Sequence, residues 1–182
     1  MLITPLEILY LIITTAVIAY IFMDYIKLPT ELNFNKFNWK SFKFAALVAA
    51  PGIILHELGH KFMAMSLGFE ALFYIFTFGL FLGIFLKWIK SPFIMLAPGY
   101  VSILENPTGI QSGIIAFAGP LVNLILWLGS WLVLNKSRKL KRKTALFLYL
   151  TQQINMILFI FNMIPIPPLD GYKVLMGIIS LF

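Results

Sequence analysis

The chain has 182 residues, of which 60% are hydrophobic and only 12% are charged, with a mean hydropathy of +0.92 and a net charge of +7. Soluble globular proteins carry about 25% charged residues, so this composition excludes an ordinary soluble domain and favours a polytopic membrane protein. The absence of cysteine excludes disulfides and thiolate zinc sites. Six of the fourteen basic residues fall in the run 136–143, which is typical of a membrane-flanking loop and not of a nucleic-acid-binding patch.

Hydrophobic segments near the length of a membrane helix, about 20 residues, recur along the chain. The first covers residues 6–23 and is interpreted as a retained membrane helix, because no basic region or cleavage site accompanies it. A polar segment follows over 24–43. The second hydrophobic segment covers 44–67, where Pro51 predicts a kink and Gly68 predicts the end of the helix.

The next segment, residues 71–89, is apolar enough to span, but it is also rich in the Phe, Tyr, Ile and Thr of strands. A spanning helix and a re-entrant or interfacial element therefore both remain open. If the basic loops 24–43 and 136–143 both face the cytoplasm, an even number of crossings separates them and this segment does not span. Residues 93–103 predict an extended segment with a turn.

Two further spans are predicted over 114–134 and 145–164, and a short apolar helix over 172–182 closes the chain. We therefore expect an all-α polytopic membrane protein of about four to six transmembrane helices, with a short strand or loop insertion. Residues 1–182 are expected to form a single membrane-embedded domain.

The only two histidines of the chain lie four residues apart, in the sequence His56-Glu57-Leu58-Gly59-His60. Four residues is about one helical turn, so both imidazoles project from one face and can bind one metal ion. Glu57 lies where a general base for metal-activated water is needed. Two satisfied core histidines with an incidental glutamate are the alternative, but ionisable side chains in an apolar helix are unfavourable without a partner.

A catalytic zinc site usually has three protein ligands. Without cysteine or a further histidine, the third must be one of the six acidic residues that remain besides Glu57. Most of these lie in polar loops or near helix ends. Asp170 stands out because it follows the proline-rich segment 163–169, which interrupts the helix beside a membrane span. An N-cap of the terminal helix is the alternative role for Asp170.

These residues resemble the site-2 proteases, the intramembrane zinc metalloproteases. The resemblance covers residues 45–182 and rests on three segments in the family's order, His56-Glu57-Leu58-Gly59-His60, Gly119-Pro120-Leu121-Val122-Asn123 and Leu169-Asp170-Gly171. It implies that His56, His60 and Asp170 bind one zinc ion per chain and that Glu57 is the catalytic base.

The resemblance further implies a catalytic core over 44–182 that contains three core helices, preceded by an N-terminal helix and polar loop over 1–43. It implies that Asn123 and Asn162 contact or orient the substrate backbone, with an interhelical hydrogen bond as the alternative for both. Residues 93–103 are the candidate for pairing with an unwound substrate by strand addition. The chain resembles a minimal member, because 182 residues leave no room for a PDZ or cystathionine-synthase-type domain.

The expected function is zinc-dependent hydrolysis of peptide bonds in membrane-spanning protein substrates, within or near the bilayer of the cell membrane. A non-catalytic zinc-binding membrane scaffold is one alternative, although such a site needs no Glu57. A small transporter is another, although no inverted repeat is visible in the sequence. No nucleic-acid partner is expected, and the sequence predicts neither the natural substrate nor the oligomeric state.

Overall fold

A computed structural model describes residues 2–26, 37–91, 97–137 and 139–182. These residues contain seven helices and two short strands. They form two compact units. The first comprises Met1–Pro51 and Phe73–Tyr100, and the second comprises Gly52–Leu72 and Val101–Phe182.

Four helical segments of the described chain are long and apolar enough to cross a membrane. This number agrees with the prediction of an all-α polytopic membrane protein, and the two strands supply the expected short insertion. The segments are Pro5–Phe22, Trp39–Ser66, Gly109–Lys136 and Arg142–Asn162.

In the first unit, helix α1 (Pro5–Phe22) matches the first predicted span. It begins with a capping box in which the Thr4 side chain accepts from the Glu7 amide and the Glu7 carboxylate accepts from the Thr4 amide. The second carboxylate oxygen of Glu7 accepts a hydrogen bond of 2.7 Å from the amide of Phe73. A buried acidic side chain thus joins the start of α1 to the strand that begins the insertion.

The second predicted span forms two helices, α2 (Trp39–Val48) and α3 (Ala50–Ser66), with one residue between them. It begins five residues earlier than predicted, because the Asn38 side chain accepts from the amides of the first turn. The interruption precedes Pro51, which has no amide hydrogen and crowds the carbonyl four residues before it. Gly68 follows α3 with a φ of 89°, as expected for a helix end.

Residues 71–89 form a strand and a helix, β1 (Ala71–Ile75) and α4 (Thr77–Trp88). At 12 residues α4 is about 18 Å long, too short to cross a hydrocarbon core of about 30 Å. Strand β2 (Gly99–Ile103) pairs with β1 in a two-stranded sheet, and backbone hydrogen bonds at both ends of the pair give it an antiparallel register. Residues 93–96 of the predicted extended segment lie outside the described residues.

The second unit contains α5 (Gly109–Lys136), α6 (Arg142–Asn162) and α7 (Asp170–Ile179). Helix α5 is longer than predicted at both ends, and a capping box between Thr108 and Gln111 fixes its start. The N-cap of α7 is Leu169, so the alternative role of Asp170 as an N-cap is wrong.

Helix α7 packs closely on α5 through glycines. A Cβ atom at Gly177 would lie 2.8 Å from the Cα of Gly113, and one at Gly109 would lie 2.5 Å from the Ser180 hydroxyl. At Gly113 and Gly177 the two backbones therefore approach to a distance that no side chain at these positions permits. Close approach of this kind is a main source of helix association in membranes, where the hydrophobic effect does not drive helices together.

Replacing Gly113 by leucine should separate α7 from α5. Overpacking costs about 1–3 kcal/mol, so we expect Gly113→Leu to lower the free energy of unfolding by about that amount relative to Gly129→Leu. Gly129 is a matched control on the same helix, because no atom lies within 4 Å of a Cβ built there. Denaturant unfolding of the two variants in detergent measures the difference, and equal stabilities would show that the close approach contributes nothing.

Candidate metal centre

Side chains from α3 and α7 converge at one point of the second unit. The Nε2 atoms of His56 and His60 lie 3.1 Å apart, and the Asp170 Oδ2 atom lies 3.2 Å from the first and 3.3 Å from the second. Both histidines are buried, and Asp170 is partly buried. These three atoms thus face one another, although His56 and Asp170 lie 114 positions apart in the sequence.

The opposite ring nitrogen of each histidine is held by α5. His60 Nδ1 lies 2.8 Å from the backbone carbonyl oxygen of Ile115, and His56 Nδ1 lies 2.7 Å from the Asn123 Oδ1 atom. A carbonyl oxygen only accepts, so each Nδ1 carries the proton. In the neutral rings both Nε2 atoms then present lone pairs toward Asp170, which is the form that binds a metal ion.

Asp170 completes the group because it begins α7. Gly171 lets the backbone of this turn approach the end of α6, since a Cβ there would lie 2.5 Å from the Met163 carbonyl carbon. Burial favours the neutral carboxylic acid, but when His56 and His60 also carry a proton on Nε2, their hydrogen bonds and positive charge outweigh burial and hold the pKa of Asp170 well below its usual range. In that state Asp170 is an anion at neutral pH.

The three ligand atoms fit a zinc ion. Zinc takes nitrogen and oxygen ligands at about 2.0–2.1 Å in a tetrahedron, which places neighbouring ligand atoms about 3.3–3.4 Å apart. The observed separations of 3.1 to 3.3 Å lie close to that value. Two imidazoles and one carboxylate also leave a fourth position, as catalytic zinc sites do.

Glu57 lies beside this group without being one of its three ligand atoms. It is half-buried on α3 and has electrostatic interactions with His56, His60, Asp170 and Lys173. The structure therefore brings together five of the six predicted site residues, namely Glu57, the three candidate ligand residues and Asn123, which contacts His56.

The two predicted substrate-binding residues lie in different surroundings. Asn123 is fully buried and spends its side chain on protein partners, accepting from His56 and donating to the Gly52 carbonyl at 2.9 Å. Asn162, at the end of α6, donates to the Leu158 carbonyl of its own helix. Among the described residues nothing bonds the Asn162 side-chain oxygen. The substrate-binding role stays a prediction for both.

Two contributors to the centre were missed in the sequence. The Ile115 carbonyl leaves no side-chain signal, because any residue supplies a backbone oxygen. Gly119 was noted only as part of a motif, yet its missing side chain makes room for the rings. A Cβ at Gly119 would overlap His60 Nε2 and would lie 2.9 Å from the Cε1 atom of His56.

Comparison with known proteins agrees with the resemblance seen in the motifs. Residues 127–181 match the description Peptidase family M50. The chain is 34% identical over 172 residues to a protein named "Putative zinc metalloprotease MJ0611" from Methanocaldococcus jannaschii, an alignment that covers 93% of this chain and 83% of that protein. The chain belongs to peptidase family M50, the site-2 proteases. It is therefore an integral, multi-pass membrane protein.

More distant relatives of this M50 chain carry similar names. It is 33% identical over 135 residues to "Putative zinc metalloprotease sll0528" from Synechocystis, and 28% identical over 129 residues to "Zinc metalloprotease MJ0392" from Methanocaldococcus jannaschii. These alignments cover 74% and 70% of the M50 chain but only 31% and 32% of the relatives. The chain thus spans about a third of their length.

Replacing Gly119 by alanine should damage the candidate metal centre of this M50 protein. Both rings are anchored through Nδ1, so they cannot turn away from the added methyl group without losing a hydrogen bond. We expect zinc affinity to fall by at least about 10-fold, the lower end of the loss caused by disturbing the surroundings of a metal ligand. Chelator competition measures it, with Gly129→Ala as the control. Unchanged affinity in Gly119→Ala would contradict the observed clearance.

Proposed function

We propose that this chain is a zinc-dependent endopeptidase that hydrolyses peptide bonds of membrane-spanning proteins within or near the bilayer. The observation that carries the proposal is the convergence of His56, His60 and Asp170 with Glu57 beside them. The names of the relatives, zinc metalloproteases, support the same chemistry.

In this proposal His56 and His60 bind the zinc ion through Nε2 and Asp170 binds it through a carboxylate oxygen. Zinc in such a site acts as a Lewis acid, which makes water acidic enough to ionise near neutral pH. The Nδ1 contacts to Asn123 and Ile115 keep both rings in the ligating form and orientation. The residues that hold the metal are thus ordered before substrate arrives.

Glu57 acts as the general base. Its carboxylate takes a proton from the attacking water, whose oxygen forms a bond to the scissile carbonyl carbon. When the carbon–nitrogen bond breaks, Glu57 returns that proton to the leaving amine. A residue that is not itself a ligand suits this role, because its carboxylate remains free to accept and release a proton.

The substrate class follows from the setting. His56, Glu57 and His60 belong to a segment long and apolar enough to span the membrane, so the scissile bond must reach them from lipid. Helical carbonyls are hydrogen-bonded and shielded, and the substrate must therefore unwind locally. We propose that the unpaired side-chain oxygen of Asn162 accepts a substrate amide and that β2 offers an edge for strand addition.

We assign this chemistry to residues 44–182, and we assign residues 1–43 no part in it. A zinc-binding scaffold without activity would leave Glu57 without a function. A transporter would need a second half-site, and no observation favours one.

Replacing Glu57 by glutamine should abolish cleavage and leave zinc bound. General acid–base catalysis contributes about 10²- to 10⁴-fold, and we expect the rate to fall by that factor while one zinc per chain is retained. The measurement is cleavage of labelled single-span peptides by purified protein in liposomes, with metal analysis of the same sample. Glu70→Gln, an exposed glutamate of the same unit, is the matched control. Wild-type rates in Glu57→Gln would exclude Glu57 as the base.

Replacing Asp170 by asparagine should weaken zinc binding, because a neutral amide is a poorer ligand than a carboxylate. We expect zinc affinity to fall by more than about 10-fold, since loss of a residue that only hydrogen-bonds to a metal ligand already lowers metal affinity by about that factor. Asp24→Asn changes the only other aspartate of the chain and is the control. Equal zinc content in both variants under chelator challenge would show that Asp170 is not the third ligand and that another carboxylate takes this role.

A further inference from the structure

We infer that Asn155, on α6, fixes the tautomer and orientation of His56 through Asn123, although no hydrogen bond in the described part of the chain joins Asn155 to a proposed zinc ligand. It is a positioning residue for the metal centre. The inference rests on the proposed zinc site for its consequence, and on the hydrogen bonds alone for its geometry.

Three consecutive hydrogen bonds connect α6 to the ring of His56. Asn155 Nδ2 donates to the Thr151 carbonyl at 2.8 Å, and Asn123 Nδ2 donates to Asn155 Oδ1 at 2.9 Å. His56 Nδ1 then donates to Asn123 Oδ1 at 2.7 Å. Each amide in the series uses one end as a donor and the other as an acceptor.

The direction of the series is fixed by its far end. The Thr151 carbonyl oxygen can only accept, so the amide nitrogen of Asn155 must point toward it. Its oxygen then faces Asn123, whose amide nitrogen donates both to that oxygen and to the Gly52 carbonyl. The Asn123 oxygen is left to face His56, and His56 must present a proton on Nδ1.

Burial prevents water from substituting for any member of the series. Asn123 and Asn155 are both 0% exposed. A Cβ at Gly52 would lie 2.8 Å from Asn155 Oδ1, so the glycine lets α6 come close enough for Asn155 to reach its partner. If Asn155 is removed, Asn123 keeps only the Gly52 carbonyl as an acceptor, and a flipped amide becomes a competing arrangement.

His60 provides an internal comparison. Its Nδ1–H donates a hydrogen bond to the Ile115 backbone carbonyl, which has no second orientation. Loss of Asn155 should therefore disturb His56 and leave His60 unchanged. Damage to the fold as a whole would disturb both rings.

The test uses the fact that these are the only two histidines of the chain. The protein is labelled with ¹⁵N-histidine, and the ring-nitrogen signals of the metal-free form are recorded in detergent at a pH where both rings are neutral. We expect both wild-type rings in the Nδ1–H form. Asn155→Leu should give His56 a mixture of Nδ1–H and Nε2–H forms, with the His60 signals unchanged.

Two further variants separate positioning from bulk stability. Asn155→Asp, as the neutral acid that burial favours, keeps an oxygen that accepts from Asn123 and an OH that donates to the Thr151 carbonyl, so we expect it to retain the wild-type form of His56. Gln153→Leu makes a similar polar-to-apolar change on the opposite face of α6 and should have no effect.

Zinc affinity gives the second readout. We expect Asn155→Leu to lose up to about 10-fold, the lower end for outer-shell partners. Because Asn155 acts through Asn123, Asn155→Leu should add no further loss in an Asn123→Leu background. Additive losses in the double variant would overturn the inference.

An unchanged His56 tautomer in Asn155→Leu would also overturn it, as would an equal disturbance of His60. None of these readouts requires cleavage. A protein that behaves as expected here but cleaves no peptide would refute the proposed function and leave this inference standing.

Discussion

Each imidazole of α3 needs an acceptor for its Nδ1 proton, and this requirement decides how the second unit is built around it. In water any solvent molecule serves, but side chains buried in a membrane protein must find partners within the protein. His60 finds the Ile115 carbonyl and His56 finds the Asn123 side chain. Both acceptors belong to α5, about two helical turns apart, so α5 must approach α3 closely along that length.

Small residues permit that approach. A Cβ at Gly59 would meet the Ala118 carbonyl at 2.8 Å, and Gly119 leaves room for both rings. The same helix receives α7 at Gly113, and α7 begins with Asp170. Helix α5 therefore provides none of the three proposed ligands. It orients two of them by hydrogen bonds, and it packs against α7, which contains the third.

The sequence predicted the long helices well, because a run of about 20 apolar residues has few other uses. It predicted that His56 and His60 project from one face of a helix with Glu57 beside them, because helical spacing decides that placement by local geometry alone. It predicted poorly where two propensities coincide. Residues 71–89 contain a strand and a helix in succession, and their average composition fits either one.

The sequence also could not predict which residues from distant segments contact one another. Asn123 is visible in the sequence as a polar residue in an apolar span, but its partner His56 lies 67 residues away. A residue that contacts the substrate and a residue that orients a proposed metal ligand would look the same in the sequence at position 123. Asn155 was visible in the same way, as one of several polar residues of α6. Its burial, its hydrogen bond from Asn123 and the packing of Gly52 against it distinguish it from its neighbours, and these are visible only in the structure.

The two histidines are held by different kinds of acceptor, and the difference explains why a third helix is needed. A backbone carbonyl is oriented by its own helix, so His60 depends on α5 alone. A side-chain amide has two orientations, and Asn123 needs acceptors for its own NH₂ group in the Gly52 carbonyl and Asn155. The His56 half of the centre therefore depends on α6 as well. The orientation of the two histidines of α3 thus depends on α5 and α6, although the proposed ligands come from α3 and α7 only.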